Sequence, residues 1–217
     1  MALMVWKCNK TAVVSTNSFN VKTAVADYNS LPHSYQFTGS GVINGVSVSI
    51  TGSGDLSVLS SGSFEGQLAL QQTQKLALNV TAHGSTSPLT GAGTNYFLPA
   101  DYSELGTVTV SKYEVVDNPP TYPTAAKVGD SGLTKTTKTY SDSSKTNLIG
   151  SSSHSYRIEA DTADSVLVRF VEVATVTSPA STATENEIYR LDSLGTLTLV
   201  SDEIALPGGT VKINVVQ

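Results

Sequence analysis

The chain has 217 residues, of which 39% are hydrophobic and 14% charged, and a formal net charge of −5. That length can bury a substantial core, as one large β domain or two small ones. Up to Asn118 there are 5 Lys+Arg against 7 Asp+Glu, and beyond it 8 against 11; without clustered cations, neither a nucleic-acid backbone nor an anionic membrane surface is an expected partner.

Residues 1–10 read as an N-terminal segment apart from the fold, and Met1-Ala2-Leu3-Met4 has the look of vector-derived sequence. Residues 1–5 are too few for a signal-peptide core. Cys8 is the only cysteine, so no internal disulfide can form. The preceding Val5-Trp6-Lys7 lacks the small residues a lipidation site wants, and Cys8 reads as an unmodified thiol.

From there on, apolar and polar residues alternate. Val46, Val48 and Ile50 alternate with Ser47, Ser49 and Thr51. Leu76, Leu78 and Val80 follow the same rule, as do Val108 and Val110, and Val211, Ile213 and Val215. Each is a strand with one wet face, the habit of antiparallel sheets. Asn44-Gly45 is a type I′ hairpin signal, and Pro207-Gly208-Gly209 is a further break. Residues 64–78 contain good helix formers, but their apolar positions are all even, which favours strand over helix. Asn118-Pro119-Pro120 is the sharpest boundary, dividing a β half over 11–118 from one over 119–217. Residues 165–176 are apolar on both faces and read as a strand covered on both sides. No apolar run approaches the roughly 20 residues of a membrane-spanning helix.

The halves echo one another. Tyr189 and Leu194-Gly195-Thr196 repeat Tyr96 and Leu105-Gly106-Thr107 at an offset of 194 − 105 = 89 residues. Thr38-Gly39-Ser40-Gly41 and Gly129-Asp130-Ser131-Gly132 lie 132 − 41 = 91 apart. Two halves on one plan, each a meander with Leu105 and Leu194 inward, are the expectation. The fold class is all-β and antiparallel, with both halves forming a sandwich or partly open barrel.

Motifs for chemistry are few. Gly129-Asp130-Ser131-Gly132 is similar to the nucleophile segment of trypsin-like proteases, but Thr124-Ala125-Ala126-Lys127 before it has no histidine base, so a β-turn is the reading. His33, His83 and His154 are too far apart for a metal motif and read as exposed. Glu159, Asp161 and Asp164 lack the alternation of a calcium loop and read as a solvated turn. No cofactor, metal site or catalytic residue is expected. Tyr96, Phe97, Tyr102, Tyr113 and Tyr122 concentrate in one stretch. Sheet packing explains them most simply, and a platform for stacking on sugar or lipid, built from Tyr96, Tyr102, Tyr113 and Tyr122, is the alternative.

Ala126-Lys127-Val128-Gly129-Asp130-Ser131-Gly132, Tyr156-Arg157-Ile158-Glu159-Ala160-Asp161-Thr162-Ala163-Asp164 and residues 189–200 carry a resemblance that spans 33–200. Gly62-Ser63-Phe64-Glu65-Gly66-Gln67-Leu68 fits the same pattern. These segments resemble uncharacterised β-rich secreted or periplasmic proteins of Gram-negative bacteria, many of them predicted lipoproteins. The resemblance implies an envelope location and a β fold, and transfers no active site. The 29 Ser and 27 Thr, with few Lys, suit the same extracellular or periplasmic setting, with a lipid anchor on the native precursor as the lipoprotein members would have it. The expected function is non-catalytic, binding glycan or lipid. A structural subunit that self-associates through strand edges is the alternative, and a hydrolase the least favoured.

Overall fold

Asn44-Gly45 adopts the left-handed conformation at both residues, with φ of 50° and 79°, as a type I′ turn requires. It joins β1 (His33–Ile43) to β2 (Val46–Leu56). Glu65-Gly66 and His83-Gly84 repeat the geometry, with φ of 52° and 76°, then 51° and 75°. They join β3 (Ser60–Phe64) to β4 (Gln67–Ala82), and β4 to β5 (Ser85–Phe97). The meander continues through β6 (Glu104–Thr109), β7 (Tyr113–Val116), β8 (Ser131–Tyr140), β9 (Leu148–Ala160), β10 (Ser165–Thr177), β11 (Ala180–Asp192), β12 (Leu197–Leu206) and β13 (Gly209–Val216). Among the described residues one helix, α1 (Val21–Asn29), precedes the strands. These elements come from a computed structural model that describes residues 14–177 and 180–216.

Neighbouring strands pair antiparallel along the chain. β13 pairs with β12 on one side and with β1 on the other, Gly209–Val216 lying against Gln36–Ile43 in reverse. β2 and β3 lie end to end along β4. The result is a closed 12-stranded barrel with one extra strand, β3. The all-β antiparallel expectation holds, and of the two expected architectures the structure is a barrel rather than a sandwich, closed rather than partly open. A twisted antiparallel wall of this length can bring its first and last strands together, and their pairing satisfies two edges that a sandwich would leave open.

The 118/119 division falls in the connection between β7 and β8, and both stretches supply strands to the same wall. The echo at Leu-Gly-Thr does not mark equivalent units. Leu105 lies in β6, whereas Leu194 is 91% exposed in the turn after β11. There Asp192 Oδ1 accepts the backbone N–H groups of Leu194 and Thr196, both at 2.9 Å, and these bonds hold the segment as a turn.

Alternation sorts the side chains. The outer face of β1 and β2 carries Ser34, Gln36, Thr38 and Ser40, then Ser47, Ser49 and Thr51. On these two strands that face is polar and shows none of the apolar band that a bilayer-facing barrel presents. No described helix is long and apolar enough to cross a membrane. β10 has Val166 and Val168 fully buried inside, but its outer face shows Arg169 in ion pairs with Glu159 and Glu203. The expected cover on both sides is therefore absent: in a barrel, one face of every strand looks outward.

One end of the barrel is sealed. Asn20 caps α1 by accepting the Thr23 N–H at 3.0 Å. Val21, Ala24, Val25 and Tyr28 recur at helical spacing and pack with Ile158, Val166, Leu191 and Leu197. The β7–β8 connection crosses the same end, where Phe19 and Ala126 exchange backbone hydrogen bonds at 2.9 and 2.8 Å. This helix was not expected from the sequence. β-Branched Val21, Thr23 and Val25 weaken its intrinsic preference, and burial of one face decides in its favour.

Removing residues 210–217 tests the closure. Val211 is 5% exposed, and Ile213 and Val215 pack on the interior. At roughly 1.5–3 kcal/mol per buried aliphatic, the truncated chain should lose several kcal/mol in denaturant unfolding. An unchanged midpoint would show that β13 is dispensable.

Candidate functional site

The inner face of the barrel's middle carries most of its buried charge. Glu185 and Glu187 share strand parity with Tyr189 and Leu191, which are core residues, so all four point inward. Register places Glu172 opposite Glu185, and Glu187 opposite Asp202. Glu104, Glu114, Lys135 and His154 complete the layer from β6, β7, β8 and β9. Like charges directly opposite one another on a sheet repel. Six carboxylates here face one buried ammonium.

That ammonium is already engaged. Lys135 is 8% exposed and forms an ion pair with Glu104. Burial pushes the Glu104 carboxyl up, but the Lys135 charge and hydrogen bond outweigh it and hold Glu104 below its ordinary range. Burial opposes the Lys135 charge as well; Glu104 overcomes this and holds the amine above its ordinary range. Burial, then Lys135, lowers His154 to about 4, so its imidazole is neutral at pH 7. Its Nε2 has no hydrogen-bond partner among the described residues.

The unpaired carboxyls behave differently. Burial, then Glu185, pushes both Glu187 and Asp202 up to about 8. Burial, then Glu104, raises Glu114 to about 7. Glu185 is raised by burial and by Glu172, and lies within hydrogen-bond reach of Asp202. Two carboxyls at that range share a proton. Ser152 Oγ donates to Glu172 at 2.6 Å.

Beside the acids the lumen opens into a cavity of about 480 Å³. Its apolar side is formed by Leu76, Leu78, Ile204 and Ile213, and Tyr35 and Phe37 stand at its edge. The aromatics form a ladder: ring centroids are 4.1 Å apart from Tyr28 to His33, 5.8 Å from His33 to Tyr35 and 5.9 Å from Tyr35 to Phe37. Phe37 lies against Gly54, where a Cβ would come within 2.8 Å of the ring. An adjoining cavity of about 550 Å³ runs between Thr90–Gly93 and the β6–β7 turn. β6 and β7 have only 6 and 4 residues, so the wall is lowest there. Gln74 and Glu185 line both cavities and stand at their junction.

The four tyrosines singled out from the sequence are not brought together. Tyr96 and Tyr113 stack on either side of Phe64 on the outer wall, at 4.7 and 5.4 Å. Tyr113 donates to Glu65. Phe64 in turn covers Gly106, where a Cβ would meet its ring at 2.7 Å. Tyr102 lies in the β5–β6 loop, its carbonyl accepting from Asn29. Tyr122 lies in the β7–β8 connection and packs edge-on to Phe170 in the sealed end.

Of the histidines read as exposed, only His83 is so. His33 and His154 face inward, because their strand positions share parity with Tyr35 and Ile158. Asp161 and Glu159 are held by Arg190 and Arg169. The described residues contain no set of three His, Cys, Asp or Glu placed to hold a metal. Gly129-Asp130-Ser131-Gly132 is a turn entering β8, with Asp130 accepting the Lys127 N–H at 2.8 Å. Cys8 and residues 1–10 lie outside the described residues.

Comparison of the chain with family models, curated proteins and solved structures returns no match.

The raised carboxyls give stability a definite pH dependence. Glu187 and Asp202 hold protons more tightly folded than unfolded. Their contribution is whole below the unfolded values, about 4, and is lost as pH rises toward 8. Unfolding free energy should therefore fall between about pH 5 and 8.5 in urea titrations. E187Q should flatten that slope and exceed wild type at pH 8.5 by about 1–3 kcal/mol. Glu104, held low, acts with the opposite sign and only in acid. A wild-type profile that is level from pH 5 to 8.5 would refute this assignment.

Proposed function

We propose that this protein is a non-catalytic binding protein that holds a small lipid-like amphiphile inside the barrel. The observation that carries this reading is the cavity of about 480 Å³, within the range of ligand pockets, which has aliphatic residues on one side and ionisable residues on the other. Burying an alkyl chain against Leu76, Leu78 and Ile213 would contribute about 25 cal/mol per Å² of apolar surface removed from water. The gap above β6 and β7 is the way in, and the end sealed by α1 is the floor. A setting outside the cytoplasm, extracellular or periplasmic, fits the uncharged Ser and Thr coat.

A second reading keeps glycan as the ligand, on the outer wall. It is favoured by the paired Tyr96 and Tyr113 rings, whose faces away from Phe64 could stack on sugar. Assembly through strand edges has less to support it, since both edges of β13 are paired.

Gly91 offers a test, because a Cβ there meets only Leu76, at 3.8 Å. G91W should narrow the passage without disturbing the core. Native mass spectrometry and calorimetry with ten-carbon amphiphiles should show binding to wild type. G91W should lose that binding at least tenfold while its melting temperature stays within a few degrees. If no such amphiphile binds and Y96A abolishes retention on polysaccharide, the outer-wall reading replaces this one.

A further inference from the structure

The acids in the lumen exceed what the protein itself neutralises. Glu172, Glu185, Glu187 and Asp202 sit on three adjacent strands as two directly opposed pairs. Lys135 belongs to Glu104. Lys112 stands at the mouth of the adjoining cavity, and Lys75, which also lines the larger cavity, lies directly opposite Asp55 on the neighbouring strand. Buried polar atoms of the same inner face also lack partners among the described residues. Thr137 is 1% exposed, faces inward between Lys135 and Thr139 on β8, and its Oγ1 has no hydrogen-bond partner among the described residues. It lies opposite Ser152, which donates to Glu172. Asp202 Oδ1 is buried with no N–H or hydroxyl donor among the described residues, and has the Glu185 carboxyl as its neighbour.

We infer that the lumen binds the ammonium group of an alkylammonium ion at Glu185, Glu187 and Asp202, with its carbon chain along Leu76, Leu78 and Ile213. This rests on the lumenal reading above and adds the charge of the ligand. An ammonium brings donors to carboxylates that otherwise have to share protons, and charge-assisted hydrogen bonds of this kind are the strong ones. The carboxylates are spread along the wall and do not converge on a point, which suits an extended organic cation better than a metal ion. The Tyr35 and Phe37 rings beside the apolar side add faces that attract a cation. The chemistry recognised is a primary amine on a linear chain of moderate length.

The full chain should be titrated at pH 8.5 with decylammonium, decanol and decanoate, each below its critical micelle concentration. Decylammonium should bind roughly tenfold or more tightly than decanol, and decanoate more weakly than either. E187Q and D202N should each bring the ammonium affinity down toward that of decanol and leave decanol binding unchanged. Both replacements remove a repelled charge, so folding is not at risk, and melting at pH 8.5 confirms it. Equal affinity of wild type for decylammonium and decanol would overturn the cation assignment and leave lumenal binding standing. Failure of all three to bind would overturn both.

Discussion

The eight paired positions between β1 and β13, from Gln36 opposite Val216 to Ile43 opposite Gly209, turn a long ribbon into a vessel. Without them the meander has two edges and two faces open to water. With them it has an outside, where Ser and Thr meet solvent, and an inside of fixed volume that every second side chain must share. Period-two alternation then becomes a rule about content. Whatever sits at the inward parity is enclosed, apolar or not.

That enclosure explains the unusual electrostatics. In an open sheet, Glu172, Glu185 and Glu187 would relax into solvent at little cost. Inside the wall they lose water and meet one another, and burial is the first cause of the rise at both Glu185 and Glu187. The protein neutralises one acid outright, by aiming Lys135 at Glu104. It leaves the others to protons, to hydroxyls such as Ser152 or to a guest. Breaking the Lys135–Glu104 pair would strand a buried charge, which is far costlier than never having built the pair. The acidic layer is therefore a stability cost that the sealed end, with its fully buried Val21, Val166 and Leu191, helps to offset.

Much of the wall was readable from sequence, because strand alternation and Asn44-Gly45 are local signals. β4 kept its even-numbered apolar positions as one strand despite its helix-forming composition. Closure was not readable, since nothing in residues 33–43 or 209–216 names the other as partner. α1 was missed for a different reason: Asn20 and the spacing of Val21, Ala24, Val25 and Tyr28 were present, but β-branched residues masked them. The acidic layer left a usable trace. Glu185 and Glu187 stand in register with Tyr189 and Leu191, and that parity alone marks them as inward. The aromatic stretch misled because proximity in sequence was taken for proximity in space. Tyr96 and Tyr122 ended on opposite sides of the wall.

The order of pairing also bears on how the chain reaches this state. Nearly every rung joins strands that are consecutive in sequence, so hairpins such as β4–β5 and β10–β11 can form early and independently, at small loop-closure cost. The β2–β4 pairing skips only the short β3, so the β1–β13 seam is the long-range exception. It joins segments more than 160 residues apart, and no local turn guides it. The barrier to a native barrel thus concentrates in one long-range event, before which the half-wound sheet carries two exposed edges and a row of acidic side chains along its concave face. Mutual repulsion of those acids would work against premature collapse of the ribbon, and keep it open until the seam is found.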